Sequence, residues 1–265
     1  MKNFDTRLKE ASDLLKKTDD VVAFTGAGIS TESGISDFRS PGGVWDRYRI
    51  VTYQEFLSSH DARVEYWQMK KELFREMRGS KPNRAHVALA GLERAGKLRC
   101  LITQNIDGLH QEAGSSDDMV IELHGTNRKA LCLECARILP IEDVQVRLDA
   151  GETDPRCENC SGLLKPATIS FGQAMPEEKM IRAVEFAKSC SLFFMIGSSL
   201  QVEPAASIPP EAYNAGAKLI FINRTETQWD HLASMIFRED AGEVMGSLME
   251  SIDLPMTNDQ LPVIS

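Results

Sequence analysis

The sequence predicts an α/β protein: a Rossmann-like, doubly wound parallel sheet with a smaller lobe formed by insertions. Three observations predict it. Six short apolar runs alternate with segments of helical periodicity, a glycine turn follows the first run, and two stretches break the alternation without contributing to it.

The runs are residues 21–25, 99–103, 119–123, 192–197, 218–222 and 234–237. Each is short and rich in β-branched or aromatic residues, as strands buried on both faces are. Helical periodicity lies beside them, for example over 83–95 and 177–190. The large domain is therefore expected over 1–34, 82–125 and 166–254. Between 35 and 81 the chain is aromatic and helix-like ("YQEFL", "VEYWQMKKELFREM"), and 126–165 carries cysteines amid turn residues. Both insertions are expected to form the smaller lobe. The end, 255–265, contains two prolines and no periodicity, which predicts a flexible tail.

With 265 residues, 42% hydrophobic and 26% charged, the chain has enough material for a packed core. A net charge of −9 argues against a broad nucleic-acid-binding face. No apolar run approaches the ~18 residues of a membrane span. The amphipathic start "MKNFDTRLKEASDLLKK" does not resemble a signal peptide, so a cytoplasmic location without membrane attachment is expected. The sequence specifies no oligomeric state.

Four of the six cysteines form Cys132-x2-Cys135 and Cys157-x2-Cys160, separated by the twenty-one residues 136–156. That spacing fits a four-thiolate zinc site. Four thiolates fill a tetrahedral ion and leave no position for water, which makes the zinc structural. Cys100 and Cys190 sit in or beside apolar segments and read as small buried hydrophobes.

The first run ends in "GAGISTESGISDFRS", with Gly26 and Gly28 at the first two positions of a dinucleotide fingerprint and Thr31 where the third glycine belongs. Alone this equally describes a strand-to-helix turn without a ligand. The same stretch continues through Gly34, Asp37, Phe38 and Arg39, a polar excursion suited to folding over the ribose and nicotinamide end of a dinucleotide. Further polar groups stand at later strand ends, where open parallel sheets bind ligands. They are Gln104, Asn105 and Asp107 in "TQNIDGLH", His124 before Gly125, Gly197, Ser198 and Ser199 in "MIGSSL", and Asn223 in "FINR". Imidazole titrates near neutral pH, and the place of His124 after a strand makes it the candidate base. His60, His86, His110 and His231 read as structural, with packing and backbone hydrogen bonding the expected work of His86.

"GAGISTESGISDFRS", "TQNIDGLH", "ELHG", the cysteine pairs, "ISFG" (169–172) and "GSSLQVEPA" (197–205) occur in the order seen in the sirtuin family, which the chain resembles over about residues 20–245. The resemblance implies an NAD-dependent protein-lysine deacylase that transfers the acyl group to ADP-ribose and releases nicotinamide. A protein ADP-ribosyltransferase or NAD hydrolase using the same pocket is the alternative. It implies NAD contacts from Gly26, Ala27, Gly28, Ile35, Asp37, Phe38, Arg39, Gln104, Asn105, Asp107, Gly197, Ser198, Ser199 and Asn223. Catalysis would rest on His124, Asn105 and Asp107, with Asn105 and Asp107 at the nicotinamide and its ribose. The partner would be an acylated-lysine protein or peptide lying as an added strand between 169–172 and 200–203. Ile106, Ile169, Phe171, Gly172 and Val202 would face it, the apolar ones, with Phe38, lining an acyl-lysine tunnel.

Several positions depart from the family pattern. Ser36 replaces a proline, Gln173 a glutamate and Ser198 a threonine. Sirtuins preferring negatively charged acyl groups carry a tyrosine and, three residues on, an arginine in this region. Trp67 and Lys70 stand at those places, so an acidic acyl preference is not expected.

Overall fold

The computed structural model describes residues 3–39 and 41–256. In chain order its strands are β1 (Val21–Thr25), β2 (Leu98–Thr103), β3 (Val120–Glu122), β4 (Gly125–Cys132), β5 (Ile138–Pro140), β6 (Leu164–Thr168), β7 (Leu192–Ile196), β8 (Lys218–Ile222) and β9 (Met235–Phe237). The six apolar runs form one parallel sheet in the order β3-β2-β1-β7-β8-β9. Strand order reverses between β1 and β7, so a crevice opens beyond their carboxyl ends.

Successive side chains of a strand point to opposite faces, and each face here is covered by helices. Val21 and Ala23 join one core cluster with Ala88 and Leu92 of the helix Arg84–Arg94 and Val244 and Leu248 of Ala241–Ser251. Val22 and Phe24 join a second with Ala183 of Glu177–Ser189 and Ile208 and Ala212 of Ile208–Asn214. This explains why the strands read as unbroken apolar runs: both sides of β1 and β7 are buried along their whole length.

The insertions share a third core. Residues 44–77 form the helices Val44–Arg47, Tyr53–Ser58 and His60–Met77, with Thr52 and Ser59 side chains capping the latter two. Val44, Phe56, Trp67 and Leu73 pack with Ala130, Ile141, Val144 and Leu164. A buried ion pair also joins the insertions, Arg63 Nε lying 3.0 Å from Asp154 Oδ2.

The region 126–165 is more regular than its turn residues suggest. It holds most of an antiparallel sheet, β5-β4-β6, and the helix Ile141–Asp149. Polar content in β4 and Pro166 inside β6 hid these strands. Of the expected tail, Met256 packs on the first core cluster, and residues 257–265 lie outside the described ones. Among the described residues no helix is long and apolar enough to cross a membrane.

Candidate active site

Beyond the carboxyl ends of the large sheet lies a cleft of about 780 Å³. Its walls include Ala27, Gly28, Asp37, Phe38, Arg39, Gln104, Asn105, Ile106 and His124 from the first half of the chain. Ile169, Phe171, Gly172, Gly197, Ser198, Ser199, Val202 and Asn223 come from the second. Gly26, Ile35 and Asp107, also expected at the site, are not among the residues of this wall.

The glycine turn does not continue as an α-helix. It enters the 3-10 helix Ala27–Ser33, which stops at Gly34 in the left-handed region, φ 84°. The late glycine thus ends the turn. A Cβ on Gly26 would lie 2.7 Å from Gly197 O, and one on Gly28 would lie 2.8 Å from Gly197 Cα. Both glycines let the end of β7 approach, and Gly28 N–H donates to Gly197 O at 2.8 Å. Beyond them, Asp37 Oδ1 accepts from the backbone N–H of Arg39 at 2.8 Å, an Asx turn that accounts for the acid at 37.

The turn after β2 supplies a buried polar group and its support. Asn105 Nδ2 donates to Ser30 Oγ at 3.2 Å, and Ser30 Oγ donates to Asp107 Oδ2 at 2.8 Å. Asp107 also accepts from Leu109 N–H at 2.9 Å, at the start of the short helix Leu109–Glu112. Burial raises the Asp107 pKa, and these donors only partly oppose the rise. Ser198 Oγ lies 3.4 Å from Gln104 Oε1, linking the ends of β2 and β7 across the cleft.

His124 follows β3 and precedes β4. Its Nδ1 is 3.0 Å from Gln104 O. A carbonyl only accepts, so Nδ1 carries the proton and Nε2 keeps its lone pair. Burial lowers the pKa of the ring; the Gln104 contact opposes this and the charge of Arg39 adds to it. The result is an imidazole held neutral with one basic nitrogen, in a wall of the cleft.

Also lining the cleft, Phe38, Trp45 and Phe171 form an aromatic run, with ring centroids 5.3 and 5.7 Å apart. The 169–172 backbone is partly engaged: Ile169 N–H donates to His124 O at 2.8 Å, and Phe171 O accepts from Tyr53 N–H at 2.8 Å. In the helix His60–Met77, Trp67 is 1% exposed inside the third core, while Tyr66, Met69 and Lys70 line the cleft. Of the two residues standing at the acyl-selective places, only Lys70 reaches the cleft, with Tyr66 beside it. Burial pushes the Tyr66 phenol up, but the charges of Lys70 and Lys165 outweigh it and bring the value to about 8. Trp45, Tyr66 and Thr168 did not stand out in the sequence. The signal for Tyr66, Met69 and Lys70 was their 3–4 residue spacing, which places them on one helical face.

The four cysteines meet as expected. Cys132, Cys135, Cys157 and Cys160 place their Sγ atoms within 4.8 Å of one another. The Cys132–Cys160 and Cys135–Cys157 separations are 3.5 and 3.7 Å. Tetrahedral zinc with bonds of ~2.3 Å needs sulfurs about 3.8 Å apart, so the set fits that ion.

Comparison with known proteins agrees with this geometry. Residues 26–204 match the model of the Sir2 family. A Thermodesulfovibrio yellowstonii protein named NAD-dependent protein deacetylase is 52% identical over 250 residues, covering 94% of this chain and 97% of that protein. NAD-dependent protein deacetylase 1 of Bradyrhizobium diazoefficiens is 46% identical over 239 residues, covering 90% and 94%. A solved structure of Sir2 with a p53 peptide and NAD+ superposes with a TM-score of 0.83 at 39% identity, covering 92% of this chain and 97% of that one. Another, of Sir2 with deacetylated p53 peptide and 3'-O-acetyl ADP ribose, gives 0.87 at 38% identity, covering 94% and 100%. The cleft at the strand-order reversal, the cysteine cluster and these likenesses place the chain in one family: it belongs to the Sir2 family.

Proposed function

We propose that this chain is an NAD-dependent protein-lysine deacetylase whose cleft takes NAD together with an acylated-lysine peptide. The observation that carries the reading is His124: a neutral ring with Nδ1 committed to Gln104 O and Nε2 left as a base in the cleft. NAD supplies a ribose carbon made electrophilic by its nicotinamide leaving group, and it serves as the acceptor of the acyl group.

The protein's part is binding, orientation, exclusion of water and movement of one proton. We assign the glycine turn and Ser198–Ser199 to the phosphates and adjoining ribose, and Asn223 to the adenosine ribose. Asn105 and Asp107 take the nicotinamide end, where Ser30 fixes both side chains. Phe38, with Trp45 and Phe171 behind it, keeps water from the reacting carbon. His124 Nε2 removes a proton from a ribose hydroxyl. The acyl chain enters between Ile106, Ile169 and Val202, and the peptide backbone lies along 169–172 and 200–203.

The segments 35–81 and 126–165 act as a smaller lobe around structural zinc, supported by the core they share. Thiolate ligands of that kind suit a reducing compartment, in keeping with the cytoplasm.

Mass spectrometry of products from an acetyl-lysine peptide with NAD tests the proposal. Free lysine peptide, nicotinamide and acetyl-ADP-ribose in equal amounts are expected. Nicotinamide release independent of the peptide, or ADP-ribose on a protein acceptor, overturns it in favour of an NAD hydrolase or an ADP-ribosyltransferase.

A further inference from the structure

Two histidines behind the cleft are buried completely. His86 and His110 are 0% and 1% exposed, with ring centroids 4.9 Å apart. Their hydrogen-bond directions can be worked out. His86 Nδ1 accepts from the Asn83 amide at 3.3 Å, so it is bare, and the neutral ring carries its proton on Nε2. Thr25 has one hydroxyl proton and donates it to Thr103 Oγ1 at 2.8 Å. The 2.9 Å contact between Thr25 Oγ1 and His110 Nε2 therefore has the histidine as donor, which leaves His110 Nδ1 bare. The two nitrogens left over, His86 Nε2 and His110 Nδ1, are both buried and form no hydrogen bond in this structure, with each other or with any other group. One is a donor and the other an acceptor.

Both ends of this chain of contacts lead to the cleft. At one end Asn83 Nδ2 donates to Ile29 O at 2.7 Å and Ser33 Oγ at 3.0 Å, holding the 3-10 turn. At the other, Thr103 Oγ1 accepts from the Asn105 amide at 3.0 Å. Asn105 and Ser30 then meet, which returns the path to its start. Burial lowers both rings, His86 to about 4, and keeps them neutral at working pH. Burial alone acts on His86, and at His110 the only addition to burial is the titratable ring of His86.

We propose that His86 and His110 are positioning residues for the cofactor cleft: His86 holds the 27–33 turn through Asn83, and His110 holds Asn105 through Thr25 and Thr103, the two rings packing together as the joint between these arms. This rests on the assignment of Asn105 to the nicotinamide end of NAD. The histidines touch no ligand. They act through Thr25, Thr103 and Asn83, the first two at the carboxyl ends of β1 and β2 and the third capping the helix that flanks them.

The test has a spectroscopic and a kinetic arm. Long-range 1H–15N correlation at pH 6.5 is expected to show both rings neutral and protonated on Nε2; a proton on Nδ1 of either, or a charged ring, overturns the inference. In steady-state assays with acetyl-peptide, Thr25→Val and His110→Phe are expected to raise KM for NAD about tenfold while peptide KM stays within about twofold. His110→Gln, which restores a donor toward Thr25, recovers at least half of the loss on a logarithmic scale. An unchanged KM for NAD in folded Thr25→Val overturns the inference, and this variant stands in should His110→Phe fail to fold. Asn105→Ala separates the two levels. If it leaves NAD kinetics unchanged, the site assignment is wrong; if it impairs them while Thr25→Val does not, only the role of the histidine pair is wrong.

Discussion

His124 Nδ1 and the carbonyl oxygen of Gln104 are 3.0 Å apart, and this contact decides which ring nitrogen is available for chemistry. Gln104 belongs to the turn after β2, so the strand that delivers Asn105 also orients the base.

The base works in its neutral form, and its pKa is lowered chiefly by burial. The acid limb of kcat against pH is therefore expected below the ordinary histidine value of ~6.5. Because Arg39 contributes to the lowering, Arg39→Ala should move that limb to higher pH. A limb unmoved by Arg39→Ala, or one above 6.5 in the parent, contradicts the reading.

Gly197 has φ 64°, and a Cβ there would lie 2.2 Å from Ile29 N. Both the strain and the clash fall on backbone. Gly197→Ala is expected to destabilise the fold by about 2–4 kcal/mol and to weaken NAD binding together with it. Denaturant melts and NAD titration check this, and loss of stability without loss of NAD affinity would separate the turn from the cofactor site.

Removal of metal should act through the third core. Metal analysis is expected to find one zinc per chain, lost in Cys132→Ser and after prolonged chelation. The cluster uniting 44–73 with 130–164 then loosens, seen as raised amide exchange in the helix His60–Met77. Exchange unaltered by chelation would show that the cysteines do not stabilise that core.

Acid should unfold the protein partly through the buried histidines. Their folded pKa values lie below the unfolded ~6.5, so from pH 6.5 downwards the unfolded state binds more protons. Their stabilisation is complete above that pH and fades as pH falls toward about 4, the value for His86. The melting temperature should drop over this window, and less steeply in His86→Phe. Equal slopes in the two proteins would remove His86 as a cause.

Trp67 and Lys70 separate stability from specificity. Trp67→Ala, deep in the third core, is expected to cost about 3–5 kcal/mol without altering relative rates among acyl chains. Lys70→Met, on the cleft wall, should alter those rates at similar stability. Melts and an acyl-peptide panel distinguish them, and the opposite pattern would return Trp67 to the substrate side.

The parallel sheet was legible because burial on both faces leaves one kind of signal, seen in Val21–Thr25 and Leu192–Ile196. The cysteine cluster was legible because metal geometry demands fixed spacings. The small sheet was not, since Lys165, Pro166 and the polar start of β4 do not look like strand. Trp67 reads as helix core from its spacing and lies there, whereas its neighbour Tyr66 gave no separate signal for the cleft. The relay through His86 was hidden for another reason: its members lie at 25, 83, 86, 103, 105 and 110, and only the crossing of β1 and β2 with the flanking helix brings them together.

The backbone of His124 is gripped from the far side by Ile169 at the end of β6, and Gly125, with no room for a Cβ against Ala167 O, leads straight into β4. His124 thus sits where the large sheet, ending in β3, passes into the small one at β4. Because β4 begins one residue after it, the base is anchored at once to the large sheet through Gln104 and to the small sheet through its own backbone.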